Sequence, residues 1–177
     1  TLYNAKEGKL YFEIPDSAFG RTYILANRVA ATSNTRDFVA GQIATQPLLI
    51  RFSKDERNVY IHQIQSSDIV AGTDPIESAF DKNFYDPVLK GFKIAAQNGK
   101  NVVIDVTAFF GANEKAISPI KTDNPLSKLL GGGNSLKGTF VPDASGIVSS
   151  KCFPENIEIK SRLSSVSYTH LRAHETE

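Results

Sequence analysis

Two runs rich in branched and aromatic side chains, Phe92-Lys93-Ile94-Ala95-Ala96-Gln97 and Asn101-Val102-Val103-Ile104-Asp105-Val106, stand on either side of Asn98-Gly99. Asn-Gly suits both positive-φ positions of a type I′ turn, whose twist matches that of paired strands, so a tight antiparallel hairpin is predicted here. A hairpin of this kind needs further strands to cover its apolar face. The chain supplies them. Leu10, Phe12 and Ile14 alternate with Lys9, Tyr11 and Glu13, the period of two expected of a half-buried strand. Ile157, Ile159 and Leu163 alternate in the same way with Glu158, Lys160 and Arg162, predicting a one-sided strand of an antiparallel sheet. Residues 46–52 and 58–64 are apolar runs separated by Ser53-Lys54-Asp55-Glu56-Arg57, which predicts a second hairpin with a longer loop. Between residues 21 and 29, Tyr23, Leu25 and Val29 fall on one face and Ile24 and Ala26 on the other, the denser pattern of a central strand covered on both sides.

Helical signals are short. Asp16-Ser17 after Pro15 offer capping oxygens for one turn that Gly20 ends. Thr73-Asp74-Pro75 opens a predicted helix near 76–84, and Pro125-Leu126-Ser127-Lys128-Leu129-Leu130 a second at 125–130, stopped by Gly131-Gly132-Gly133. Thr107 is placed to cap a turn at Ala108-Phe109-Phe110, which Gly111 terminates. Residues 30–44 lose periodicity and read as a long, mobile connection, and residues 140–152 show no clear pattern. Sequential hairpins with few helices argue against alternating βαβ units. The expected fold is therefore α+β, mainly an antiparallel β-sheet with a few short helices.

Composition narrows the chemistry. Twenty Lys and Arg against nineteen Asp and Glu give +1, no global field to steer a nucleic acid or an anionic membrane. No apolar run approaches the roughly 20 residues of a spanning helix. One Cys and three His leave almost no material for a metal centre built on those ligands. His170 and His174 stand at i and i+4 with Glu175 next, but Leu171 occupies the position where a zinc protease helix carries its catalytic Glu. No metal site is expected there. Gly131-Gly132-Gly133 lacks the Gly-Lys-Ser/Thr of a phosphate loop, and after Gly99-Lys100 stands Asn101 where a magnesium-binding hydroxyl is required. Glu13, Asp16 and Asp105 lie at predicted strand ends, where paired acids could perform acid/base work and where capping of neighbouring turns explains Asp16 and Asp105 more simply. Cys152 reads as a buried structural thiol and His62 as a packed or surface strand residue. No catalytic, cofactor-binding or metal-binding residue is assigned.

Three stretches carry a family likeness. Gly8-Lys9-Leu10-Tyr11-Phe12-Glu13-Ile14-Pro15-Asp16-Ser17, followed by Gly20-Arg21, resembles the opening of an uncharacterised domain found N-terminal to the catalytic domain in large bacterial zinc-dependent, metzincin-like metalloproteases. Val103-Ile104-Asp105-Val106-Thr107 is similar to its middle strand, and Phe153-Pro154-Glu155-Asn156-Ile157-Glu158-Ile159 to its late segment, in the expected order. The resemblance implies a non-catalytic accessory domain over residues 1–165, truncated at both ends, in a secreted or periplasmic protein. Its partner is then the catalytic metallopeptidase domain of the same parent chain, which would hold the zinc; none of that motif's residues is present here. Residues 166–177, with Val166-Ser167-Tyr168-Thr169-His170-Leu171-Arg172-Ala173-His174-Glu175-Thr176, resemble translated sequencing-adapter DNA and are expected to be non-native. Removing Arg172, Glu175 and Glu177 with that tail leaves 19 basic against 17 acidic residues, and His62 as the one remaining histidine. Two other classes stay open: a free-standing carbohydrate- or peptide-binding β-module using Tyr11, Phe84 or Tyr85, and a hydrolase built on Glu13, Asp16 and Asp105. A final strand lacking its neighbour is also expected to leave an open edge near 157–164.

Overall fold

The computed structural model describes residues 1–33, 35, 38–65, 86–121 and 136–166. The strands of the main sheet are β1 (Leu2–Asn4), β2 (Lys9–Ile14), β3 (Thr22–Leu25), β4 (Leu48–Lys54), β5 (Asn58–Gln63), β6 (Val88–Asn98) and β7 (Asn101–Asp105). They make one antiparallel sheet in the order β1-β2-β7-β6-β5-β4-β3.

This order forces the sheet to curl. In a flat sheet β2 and β3 would lie five strand spacings apart, roughly 24 Å. The connection from Ile14 to Thr22 includes a 3-10 turn at Asp16–Ala18, and such a turn advances only about 2 Å per residue. The two strands are therefore drawn round toward each other. Contacts at the join agree: the Gly20 N–H donates to the Phe52 carbonyl at 3.2 Å. Lys54 Nζ lies 2.6 Å from Asp16 Oδ1 and 4.6 Å from the centre of the Phe19 ring. β6 turns the corner. Its first half pairs with β5 and its second half with β7, with a register shift between Ile94 and Ala96, and an extra residue on one strand bends it at such a point.

The core fills the concave side. Leu10, Ile14, Ile50, Val59, Ile61, Phe92, Val102, Ile104, Val106 and Phe109 form one buried cluster. Removing the side chain of Leu10 or Ile104, both 0 % exposed, from water stabilises the fold by about 1.5–3 kcal/mol each. A single helical turn, α1 (Thr107–Gly111), closes one side. Its Phe109 meets Phe92 edge-on at 5.8 Å, and Phe110 lies 5.6 Å from Phe12. Thr107 does not cap this turn with its side chain. Its Oγ1 instead accepts the Leu10 N–H at 2.8 Å, tying the turn to β2, while Asp105 Oδ1 accepts the Thr107 N–H at 2.9 Å.

After α1 come β8 (Ile120–Lys121) and β9 (Leu136–Lys137), a short parallel pair, and β10 (Thr139–Phe140), paired with β13 (Ser165–Val166). β11 (Gly146–Cys152) and β12 (Ile157–Arg162) form a hairpin packed on α1. The Tyr3 hydroxyl donates to the Ile147 carbonyl at 2.8 Å. Gly111 packs closely on the hairpin: a Cβ there would lie 3.2 Å from Ile147 Cγ1, a tight contact.

Several expectations require correction. Among the described residues the fold is mainly antiparallel β, with less helix than α+β implies. β3 is a short edge strand, not a covered central one, and Ile24 is 73 % exposed on its outer face. The turn between β6 and β7 sits one residue later than predicted, on Gly99-Lys100, because Asn98 pairs with Asn101. Only Gly99 has positive φ, +61°, the pattern of a type II′ turn. Asn98 remains in the ladder, where its amide and that of Asn101 both donate to Glu13 Oε1 at 3.0 and 2.9 Å. Asp16 and Ser17 lie within their turn, whose N-cap is Pro15, with no side-chain cap bond. The 30–44 connection carries structure of its own: Arg28 bridges to Ile43, and Phe38 is buried. Ser53 and Lys54 extend β4, leaving Asp55-Glu56-Arg57 as the loop. The helices predicted at 76–84 and 125–130 lie outside the described residues.

Candidate functional site

The pairing of β4 with β5 places Arg51 opposite His62 and Ser53 opposite Tyr60. Ser53 and His62 are therefore diagonal neighbours on one face, turned away from the Ile50, Val59 and Ile61 side chains of the core. His62 is 7 % exposed. Its Nδ1 lies 3.1 Å from the Asp86 carbonyl and its Nε2 2.7 Å from Ser53 Oγ. A carbonyl only accepts, so Nδ1 carries the proton in the neutral ring and Nε2 receives the Ser53 hydroxyl. Arg51 Nη1 lies 3.3 Å from Asp86 Oδ2.

A hydroxyl donating to imidazole is the elementary arrangement of nucleophile and base. Here the third member is a backbone carbonyl, since the Asp86 carboxylate is turned to Arg51. Neither of the two clefts described below is lined by Ser53 or His62. These contacts tie β4 and β5 to the residues that lead into β6. Sequence reasoning passed over Ser53 and Asp86, because the diagonal contact exists only once the strand register is set.

The three carboxylates singled out from the sequence do not share a cleft. Glu13 is held by the Asn101 and then the Asn98 amide, which lower its pKa. Asp16 is held by Lys54, first through the hydrogen bond and then through charge, again lowering its pKa. Asp105 binds the Thr107 N–H. Asp16 lines a cleft of about 210 Å³ with Lys54, Asp55, Glu56 and Lys100. Asp105 lines a separate one of about 770 Å³ between the β1–β2 turn, α1 and the β11–β12 hairpin, whose charged groups are Glu7, Lys9, Asp105 and Arg162. Glu13 lines neither.

Among the described residues the most perturbed group is one the sequence did not mark. Asp55 in the β4–β5 loop accepts the Arg57 and Asn58 N–H groups at 2.7 and 2.6 Å and the Tyr60 hydroxyl at 2.7 Å. The Arg57 bond, then Tyr60, then Asn58 hold its pKa down at about 2, and the same contact raises that of Tyr60. This is a self-satisfied turn rather than an open acid. Cys152 corrects an expectation: it is an exposed free thiol at the end of β11, not a buried one. Tyr11 is half-buried opposite Leu2 and Asp105. Phe84, Tyr85, Gly131-Gly132-Gly133, His170, His174 and Glu175 lie outside the described residues. Among the described residues no group of three or more His, Cys, Asp or Glu is placed to hold a metal ion. No helix among them is long and apolar enough to cross a membrane.

Fold and site together define a mainly antiparallel β domain organised round a curled seven-stranded sheet. Residues 41–176 match the family model described as a domain of unknown function, DUF5117, and the chain belongs to that family. Residues 1–32 match a second domain of unknown function, DUF5118. No curated protein and no solved structure matches the chain.

Proposed function

We propose that this chain is a non-catalytic accessory domain that packs against, or positions, the zinc metallopeptidase domain of a longer, secreted or periplasmic parent protein. The ordered resemblance of residues 8–21, 103–107 and 153–159 to the companion domain of such proteases supports the reading. The observation that carries it on the structural side is the engagement of Glu13, Asp16 and Asp105 by this chain's own amides, Lys54 and backbone. Acids so occupied serve to hold strands and turns together. The β11–β12 hairpin adds a surface suited to packing, with Val148, Phe153 and Ile157 exposed on it.

The purified chain is expected to contain no zinc and to cleave no peptide substrate, and stoichiometric zinc retained through purification would falsify the proposal. A second check is to read the parent gene downstream for H-E-x-x-H and co-express the encoded region, which should co-purify with this chain. The reading includes a foreign origin for residues 166–177; resequencing the locus and finding the same codons in genomic context would remove that part.

A further inference from the structure

The two family matches end and begin at residues 32 and 41, yet the sheet does not divide there. We infer that residues 1–32 are a built-in ligand for the residues that follow, docking through two of their three strands, and that the two matched regions form one folding unit. The inference concerns how the chain is assembled and stands apart from the role proposed above.

β1, β2 and β3 all precede the boundary, and β4 to β7 all follow it. β2 pairs with β7 and β3 with β4, so the N-terminal segment covers both edges of the four strands β7-β6-β5-β4. Without it, each of those strands at the margin would present a row of unpaired N–H and C=O groups. The core divides in the same way. Leu10 and Ile14 come from the first region, and Ile50, Val59, Ile61, Phe92, Val102, Ile104, Val106 and Phe109 from the second, in one cluster.

Polar contacts stitch both ends of the segment. The Val106 N–H donates to the Leu10 carbonyl at 3.0 Å and the Leu10 N–H to Thr107 Oγ1 at 2.8 Å. At the far edge, Gly20 N–H to Phe52 O and Lys54 to Asp16 hold the crossing between β2 and β3. The ligand these edges take is thus an extended segment in two strands. Leu10, Phe12 and Ile14 face the core from one, Tyr23 and Leu25 from the other, and a short turn crosses the open end of the curl.

The test is to insert a specific protease site after the exposed Ser33 in the full chain and cleave it. The pieces should remain together as one species on native size-exclusion chromatography. The thermal midpoint of the cut protein should fall on tenfold dilution by a few degrees while that of the uncut protein does not move, because unfolding is now also dissociation. Precipitation of the larger piece on cutting supports the inference equally, since a self-sufficient unit would stay folded. Separation of the pieces, with the larger one keeping the circular dichroism and concentration-independent midpoint of the uncut protein, overturns it. Hydrogen exchange on the unmodified chain reads the same question without an insertion. Amides of β2 should exchange with the same denaturant dependence as those of β5 to β7, the mark of one cooperative unit. Release of β2 at lower denaturant while β5 to β7 stay protected overturns it.

Discussion

The β2–β7 pair and the β11–β12 hairpin are both antiparallel, and each contains a strand of alternating sequence, β2 in one and β12 in the other, yet they differ in what lies against them. Leu10, Ile14, Val102 and Ile104 are buried, because the curled sheet and α1 close over their inner faces. In β12, Ile157 is 45 % exposed and Ile159 only half-buried, packed at the margin of the same core. Period-two alternation states which residues share a face. It does not state whether another layer covers that face, and burial, hence stability, follows from the second condition.

Substitutions should separate the two regions, and the largest difference is expected from matched truncations. Leu10→Ala removes a fully buried side chain and should cost about 3 kcal/mol in chemical unfolding, whereas Ile157→Ala should change stability by less than about 0.5 kcal/mol. Equal losses would show the hairpin to be as much a part of the core as the sheet. Thr107→Val strips the acceptor from the Leu10 N–H and should cost about 1–3 kcal/mol. The same measurement on Ser150→Ala, whose hydroxyl makes only a 3.4 Å contact with Thr1, should give a change within about 0.5 kcal/mol.

Gly99→Ala forces an L side chain to φ +61° and should cost about 1–2 kcal/mol; an unchanged midpoint would mean that the β6–β7 turn relaxes freely. The smallest effect is electrostatic. Asp55 titrates at about 2 in the fold against an ordinary 3.8, so its contribution is fully present above 3.8 and is lost as pH falls toward 2. Asp55→Asn should lower stability at neutral pH and flatten the acid profile between those values. In the same variant the Tyr60 phenol, whose pKa Asp55 raises, should titrate lower in an ultraviolet pH titration. A parallel acid profile for the two proteins would show that Asp55 does not hold its turn in solution.

Legibility followed the same division. β2 and β12 could be read from alternation and β5 and β7 from apolar runs beside turn residues, each within a residue or two, and the turn at Ala108-Phe109-Phe110 from the Thr and Gly around it. Asn98-Gly99 marked the right hairpin and the wrong pair of turn residues. The amides of Asn98 and Asn101 both reach Glu13 on β2, and a contact 85 residues away in sequence is invisible to local propensity. Ile24 misled for a related reason: a dense apolar run reads as a covered strand, but strand order left β3 at an edge. Ser53, His62 and Asp86 come together only through the β4–β5 register and the entry of β6.

By itself the sequence determined that this protein builds paired strands with one apolar face, held by short polar turns and carrying little net charge. Those properties depend on neighbours in the chain, through side-chain period and backbone preference. Only the tertiary structure decided that residues 1–32 and the residues beyond 41 share one curled sheet. It also decided which acids are occupied and which hydrophobic faces are covered. Each of those outcomes depends on strand order and closure, which bring distant segments together at a cost in chain entropy that local sequence does not record.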